Sequence, residues 1–261
     1  MIDRPRLEQI VAEAARIAHD QWPGAGHDVE IWEKGPGNPV CAADLAVDRF
    51  LKRELSALLP SAGWLSEETA DDAARLTRGL VWVVDPIDGT RDFIRGRTGW
   101  AVSVALISER RPLLGYLAAP ARDEFWQAEA GRGAFRNKER LAASNATSFA
   151  GARIPSDGLP KIDRILSPVA KPNSIALRIA MVAAGEADIV PTLRWGFEWD
   201  VAAATLIARE AGAAVSDAFG QPLAYNQRDP RSFGLLVSAP AIHGDAVAHV
   251  AERAAEYARR K

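Results

Sequence analysis

The chain has 261 residues, 48% of them apolar and 25% charged, which is enough to build one large domain or two lobes and excludes a disordered chain. With 32 Lys and Arg against 34 Asp and Glu, the formal charge is -2, so no basic field recruits a nucleic acid polymer or an anionic membrane. A single cysteine, Cys41, excludes an internal disulfide and a cysteine-rich zinc site, and four histidines without HxH or HExxH spacing argue against a histidine metal centre. Any metal must be held by carboxylates. No apolar run approaches the roughly 20 residues of a membrane span, so a soluble, cytoplasmic protein with no membrane partner is expected.

Leu7, Ile10, Val11, Ala14, Ile17 and Ala18 recur at helical spacing and stop before Trp22-Pro23-Gly24, which predicts an opening amphipathic helix. A Gly/Pro/Asn loop over 35–39 precedes a second helical pattern, Leu45, Phe50, Leu51, Leu55 and Leu58, with Asp44 in its first turn. Short apolar runs at 80–84, 101–107, 113–118 and 125–128 then predict a meandering sheet. The aperiodic stretch 142–158 divides an N-terminal α+β lobe, 1–145, from a C-terminal α/β lobe, 146–261. In the second lobe a helix at 174–184, a short strand at 188–190, a helix at 201–211, strands near 213–215 and 235–237, and a helix at 241–260 alternate.

Val81-Trp82-Val83-Val84 has the composition of a buried strand, so Asp85 emerges at its carboxyl end, where α/β sheets place ligands. Pro86 then breaks the strand, and Asp88-Gly89-Thr90 can cap a helix after it. Two carboxylates three residues apart, beside outward N–H groups, suit a hard cation and a phosphate, and oxygen-only ligands favour Mg²⁺. Alone, the pair reads more readily as turn and cap residues. Leu65-Ser66-Glu67-Glu68 and Glu198-Trp199-Asp200, each at a structural break, supply further acids. A covalent aspartyl mechanism is disfavoured, because the spacing is Asp-x-x-Asp rather than Asp-x-Asp.

Taken in order, Leu65-Ser66-Glu67-Glu68, Asp85-Pro86-Ile87-Asp88-Gly89-Thr90 with Asp92-Phe93, and Trp199-Asp200-Val201-Ala202-Ala203 resemble the inositol monophosphatase superfamily. The segment from Lys34 to Asp48 resembles the block that precedes its second helix. The resemblance implies a layered αβαβα sandwich of the inositol monophosphatase and fructose bisphosphatase type, an α/β (α+β) fold. It implies a phosphomonoesterase with two or three Mg²⁺ ions per site, inhibited by Li⁺. Glu67, Asp85, Asp88, Asp200 and the carbonyl of Ile87 would be the metal ligands. Thr90 with Asp44 would activate a water alongside Glu67, and the N–H groups of Gly89 and Thr90 would cradle the phosphate. Cys41 stands where the family usually has a threonine.

Thr90-Arg91-Asp92-Phe93-Ile94-Arg95 and Ser174-Ile175-Ala176-Leu177-Arg178 are similar to the 3'(2'),5'-bisphosphate nucleotidase branch, with Arg178 where that branch has a lysine. The implied substrate is adenosine 3',5'-bisphosphate, held by Arg178 and Lys34. The alternative is an inositol-1-monophosphatase or another sugar-phosphate phosphatase. Leu193 stands where inositol-type members carry an acid that meets substrate hydroxyls. A small phosphorylated metabolite is the expected partner, and a homodimer is compatible with the meander sheet.

Overall fold

The computed structural model describes residues 2–35 and 38–259, apart from the side chains of Lys34 and Asn38. Helix α1, Arg4–His19, starts on an Asp3 cap whose carboxylate accepts the N–H of Arg6, and it buries Leu7, Ile10, Val11, Ala14, Ala15 and Ala18. Strands β1, Ile31–Gly35, and β2, Asn38–Cys41, pair antiparallel where the sequence suggested only a loop. Helix α2, Ala42–Leu58, comes immediately after β2 and packs beside α1.

The large sheet has seven strands in sequential order: β3, Gly63–Ser66; β4, Leu80–Asp88; β5, Ala101–Ser108; β6, Arg111–Ala119; β7, Glu124–Glu129; β8, Gly133–Arg136; and β9, Glu139–Arg140. Strands β3 and β4 run parallel, and every later pairing is antiparallel. Helix α3, Thr90–Ile94, fills the link between β4 and β5. Strands β10, Arg153–Pro155, and β11, Ser167–Val169, form a small parallel pair.

Helix α4, Ile175–Ala183, precedes β12, Ile189–Phe197, and helix α5, Glu198–Glu210, succeeds it. Strands β13, Ala214–Ser216, and β14, Arg231–Ser238, complete a three-stranded antiparallel sheet in the order β12-β14-β13. Helix α6, His243–Ala258, packs on its outer side.

The layers therefore run α1/α2, seven-stranded sheet, α4/α5, three-stranded sheet, α6, which is the αβαβα sandwich expected. Leu7, Ile10, Leu51, Leu55, Trp82 and Val104 fill the space between the first helices and the sheet. Val81, Val83, Leu117, Ile179, Ala203 and Val237 join the opposite sheet face to α4, α5 and the small sheet in one core, so apolar contact runs across the stretch 142–158.

Three expectations are corrected. Pro86 does not end β4, because a bulge lies there: Asp85 faces Ser103 and Asp88 faces Ala101, so Pro86 and Ile87 stand against the single residue Val102 of the other strand. At that interruption the missing proline N–H costs no ladder bond. Strand β12 is nine residues long rather than three, with its own register shift between Thr192 and Trp195 that breaks the alternation of its sequence. Helix α5 begins at Glu198 rather than at 201, which makes Asp200 its third residue.

Candidate active site

Because β3 and β4 are parallel, with Ser66 beside Val84, their carboxyl ends place Glu67 and Asp85 side by side. The N–H of Glu67 donates to the Val84 carbonyl at 3.3 Å, extending the pairing by one residue. Asp48, buried on α2, accepts the hydroxyls of Ser66 at 2.5 Å and Thr69 at 2.6 Å, and so pins the loop that carries Glu67. Asp48 has no role in the sequence pattern beyond lying one turn after Asp44, which is the one signal that could have marked it.

The bulge in β4 brings Asp88 to the same cleft as Asp85. One oxygen of Asp85 accepts the Ile87 N–H at 3.0 Å. One oxygen of Asp88 accepts both the Ser174 hydroxyl at 2.5 Å and the Ala176 N–H at 2.7 Å, so the carboxylate sits at the start of α4. Ser174 is a second holder that the sequence did not reveal as such. Gly89 adopts φ +96° and lets the chain turn into α3 against the Gly99 carbonyl and the Ser174 N–H.

Asp200 arrives from the far side of the cleft on α5, where it accepts the Phe197 N–H at 3.2 Å. Asp44, 1% exposed, uses one oxygen for the N–H and thiol of Cys41, at 2.8 and 3.0 Å, and the other for the Thr90 hydroxyl at 3.4 Å. Thr90 also reaches the Ile87 carbonyl at 3.0 Å. Cys41 is fully buried, and burial together with Asp44 pushes its thiol well above the usual range, so it stays protonated.

Glu67, Asp85, Asp88, Asp200, Thr90 and the backbone at 87–89 thus line one open cleft of about 430 Å³. Arg91, Lys171, Arg178 and Arg194 line it too. Arg178 is not a loose surface arginine: its Nε donates to the Pro172 carbonyl at 3.0 Å and Nη2 to that of Asn173. Two of its three nitrogens are committed, so it offers a fixed charge rather than a bidentate clamp. Lys34 belongs to β1, and its side chain lies outside the described residues. Leu193 is half-buried on β12, and Glu198 spends both oxygens on the N–H groups of Asn226 and Gln227, at 2.5 and 2.9 Å.

Electrostatics set this cleft apart. Burial and the like charges of Glu67, Asp88, Asp200 and Asp44 push Asp85 well above the usual carboxylate range. Burial also raises Asp88, against the opposing bonds from Ser174 and Ala176, and burial with Asp88 and Glu67 lifts Asp200 to about 8. Oxygen donors of this kind suit a hard divalent ion completed by water and substrate oxygens.

The linkage has a measurable sign. Without metal, the raised acids make the folded chain bind more protons than the unfolded one from about pH 4 upward. Their contribution to stability is complete below that range and is lost as pH climbs through the raised pKa values. In chelator, the melting temperature should fall between about pH 5 and pH 8.5, and Mg²⁺ should restore it at the upper end. A flat profile in chelator would remove the like-charge account.

The sequence model of the inositol monophosphatase family matches residues 5–256. The chain belongs to the inositol monophosphatase family. It is 34% identical over 218 residues to an inositol-1-monophosphatase of Mesorhizobium japonicum, covering 76% of this chain and 79% of that protein. It is 31% identical over 215 residues to the 3'(2'),5'-bisphosphate nucleotidase CysQ of Aggregatibacter actinomycetemcomitans, covering 77% and 80%. The structure resembles a Thermotoga maritima IMPase with a TM-score of 0.82 and 27% identity over 96% of this chain and 97% of the other. This family member is a phosphoric monoester hydrolase, and its relatives are metal-dependent, typically on Mg²⁺. None of its helices among the described residues is long and apolar enough to cross a membrane.

Proposed function

We propose that the chain is a Mg²⁺-dependent 3'(2'),5'-bisphosphate nucleotidase that converts adenosine 3',5'-bisphosphate to AMP and phosphate. One observation carries this reading: the acidic floor of the cleft is lined alongside by four cations, Arg91, Lys171, Arg178 and Arg194. The phosphate to be cleaved belongs over the acids with the metal. A second phosphate needs positive charge instead, and a neutral polyol needs neither Arg178 nor Lys171.

In this reading Glu67, Asp85, Asp88, Asp200 and the Ile87 carbonyl would hold two or three Mg²⁺ ions, which would supply acidification of a water and stabilisation of the leaving oxygen. Asp44, with one oxygen left to Thr90, orients that hydroxyl and takes the proton passed through it. The N–H groups of Gly89 and Thr90, at the turn into α3, have no helical partner of their own and face the phosphate. Cys41 acts only on Asp44, by holding its second oxygen.

Purified enzyme with Mg²⁺ should favour adenosine 3',5'-bisphosphate over inositol 1-phosphate by about tenfold or more in kcat/KM. The reverse preference hands the assignment to inositol-1-monophosphatase, the reading that the Mesorhizobium relative favours. Arg178→Ala should raise KM for the bisphosphate by about tenfold and affect a monophosphate by about twofold, with Arg178→Lys recovering part of the loss. Equal losses on both substrates would sink the second-phosphate role. Li⁺, to which relatives are typically sensitive, should inhibit.

A further inference from the structure

Among the described residues Arg75 is the one arginine or lysine shut away from solvent, at 2% exposure. It stands in a short 3-10 turn, Ala73–Thr77, pressed so close on β3 that a Cβ on Gly63 would meet the Arg75 Cα at 2.9 Å. All its guanidinium nitrogens are engaged. Nε and Nη2 grip the Asp71 carboxylate at 2.6 and 2.9 Å, in the loop that begins at Glu67. Nη1 donates to the Asn226 side-chain carbonyl at 2.6 Å, and Nη2 also donates to the Gln227 main-chain carbonyl at 2.9 Å, partners 151 and 152 residues away in the chain.

The link continues to the other wall of the cleft. The N–H groups of the same two residues, Asn226 and Gln227, hold the two oxygens of Glu198, the first residue of α5 and two places before Asp200. Asn226 takes a left-handed φ of +54°, which asparagine tolerates; its side chain meets the arginine while its N–H meets the glutamate. A relay thus runs from Glu67 through Asp71, Arg75 and the 226–227 turn to Glu198 and Asp200. Glu67 and Asp200 carry like charge and line the same cleft, so what fixes their separation in the bare protein acts from outside it.

We infer that Arg75 is a positioning residue that sets the span between Glu67 and Asp200, and through it the affinity of the cleft for its divalent ion. The planar fork is what the task needs: it reaches Asp71, Asn226 and Gln227 at once, which a lysine ammonium on a flexible stem does not. Charge alone predicts the opposite of positioning. Removing a cation near a metal site tightens Mg²⁺ binding, whereas removing a spacer weakens it. The inference rests on the metal reading of Glu67 and Asp200, and amide hydrogen exchange without metal tests the relay apart from that reading.

Asn226→Gly removes one acceptor of Arg75, keeps the N–H to Glu198 and tolerates the turn. In chelator it should speed amide exchange at 67–71 by about fivefold or more, although those residues belong to the opposite wall. Calorimetric titration with Mg²⁺ should give a dissociation constant raised about threefold in Asn226→Gly, fivefold in Arg75→Lys and tenfold in Arg75→Met, with kcat at saturating Mg²⁺ within about threefold of the parent. Arg153→Met is the control, because Arg153 makes a similar two-pronged grip on Asp188, with the Gly185 carbonyl besides, and none of the three lines the cleft. It should lower the melting temperature and leave the Mg²⁺ constant within about twofold. Exchange at 67–71 indifferent to Asn226→Gly, tighter Mg²⁺ binding in Arg75→Met, or equal weakening in Arg153→Met overturns the inference. A parent that binds no Mg²⁺ removes the metal reading and the affinity claim with it, while faster exchange in Asn226→Gly keeps the span. If Arg75→Met does not fold, Asn226→Gly and Arg75→Lys carry both readouts.

Discussion

Asp85→Asn is expected to lower kcat by about three orders of magnitude while raising the melting temperature of the metal-free protein. The two effects have one cause. Asp85 is 1% exposed and faces four other carboxylates, and no basic group stands among the principal influences on it. An amide keeps the acceptor for the Ile87 N–H, so the bulge survives, but it removes one of the charges that a divalent ion would neutralise. Relief of repulsion stabilises the bare fold, and weaker metal binding removes transition-state stabilisation of several kcal/mol, or about 4 kcal/mol for a thousandfold loss. Phosphate release assays and thermal melts with and without Mg²⁺ measure both. A variant that Mg²⁺ still activates and stabilises as in the parent would take Asp85 out of the metal set.

Gly89→Ala should cost about 3 kcal/mol of stability or more, together with most of the activity. At φ +96° an alanine is strained, and its Cβ would stand 2.6 Å from the Gly99 carbonyl oxygen and 2.9 Å from the Ser174 nitrogen. Both obstacles are main chain, so no side chain can swing aside. The displaced Ser174 would release Asp88, whose one oxygen it shares with the Ala176 N–H. Denaturant unfolding gives the first effect and steady-state rates the second. Parental stability in this variant would show that the turn can relax, and would leave Asp88 to be held by α4 alone.

The sequence revealed whatever local periodicity or strand-end position encodes. Helices α1 and α2 were legible because Leu7, Ile10, Val11 and Ala14, then Leu51 and Leu55, repeat along one buried face. Asp85 was legible because an unbroken apolar run, 81–84, stops at it. Strand β3 was not, since its four residues, Gly-Trp-Leu-Ser, show no alternation and only pairing with β4 makes them a strand. The length of β12 was hidden by its register shift and its half-exposed aromatic residues.

The holders of the site were hidden for another reason. Asp48 acts on Ser66 and Thr69, and Ser174 on Asp88, across separations of 18, 21 and 86 residues. Nothing local distinguishes those residues from a helix-face acid and a helix cap. Arg178 shows the same limit: its position in the pattern suggested a cation, but only the fold shows two of its nitrogens tied to Pro172 and Asn173.

Helix α5 lies between the two sheets, against β5, β6 and β7 on one side and β13 and β14 on the other, and its first turn carries Asp200. Glu67, Asp85 and Asp88 precede it by more than a hundred residues in the chain. During synthesis, three of the four acids therefore leave the ribosome long before the fourth can be delivered. A nascent chain that has not yet docked α5 lacks the wall of the cleft that carries Asp200.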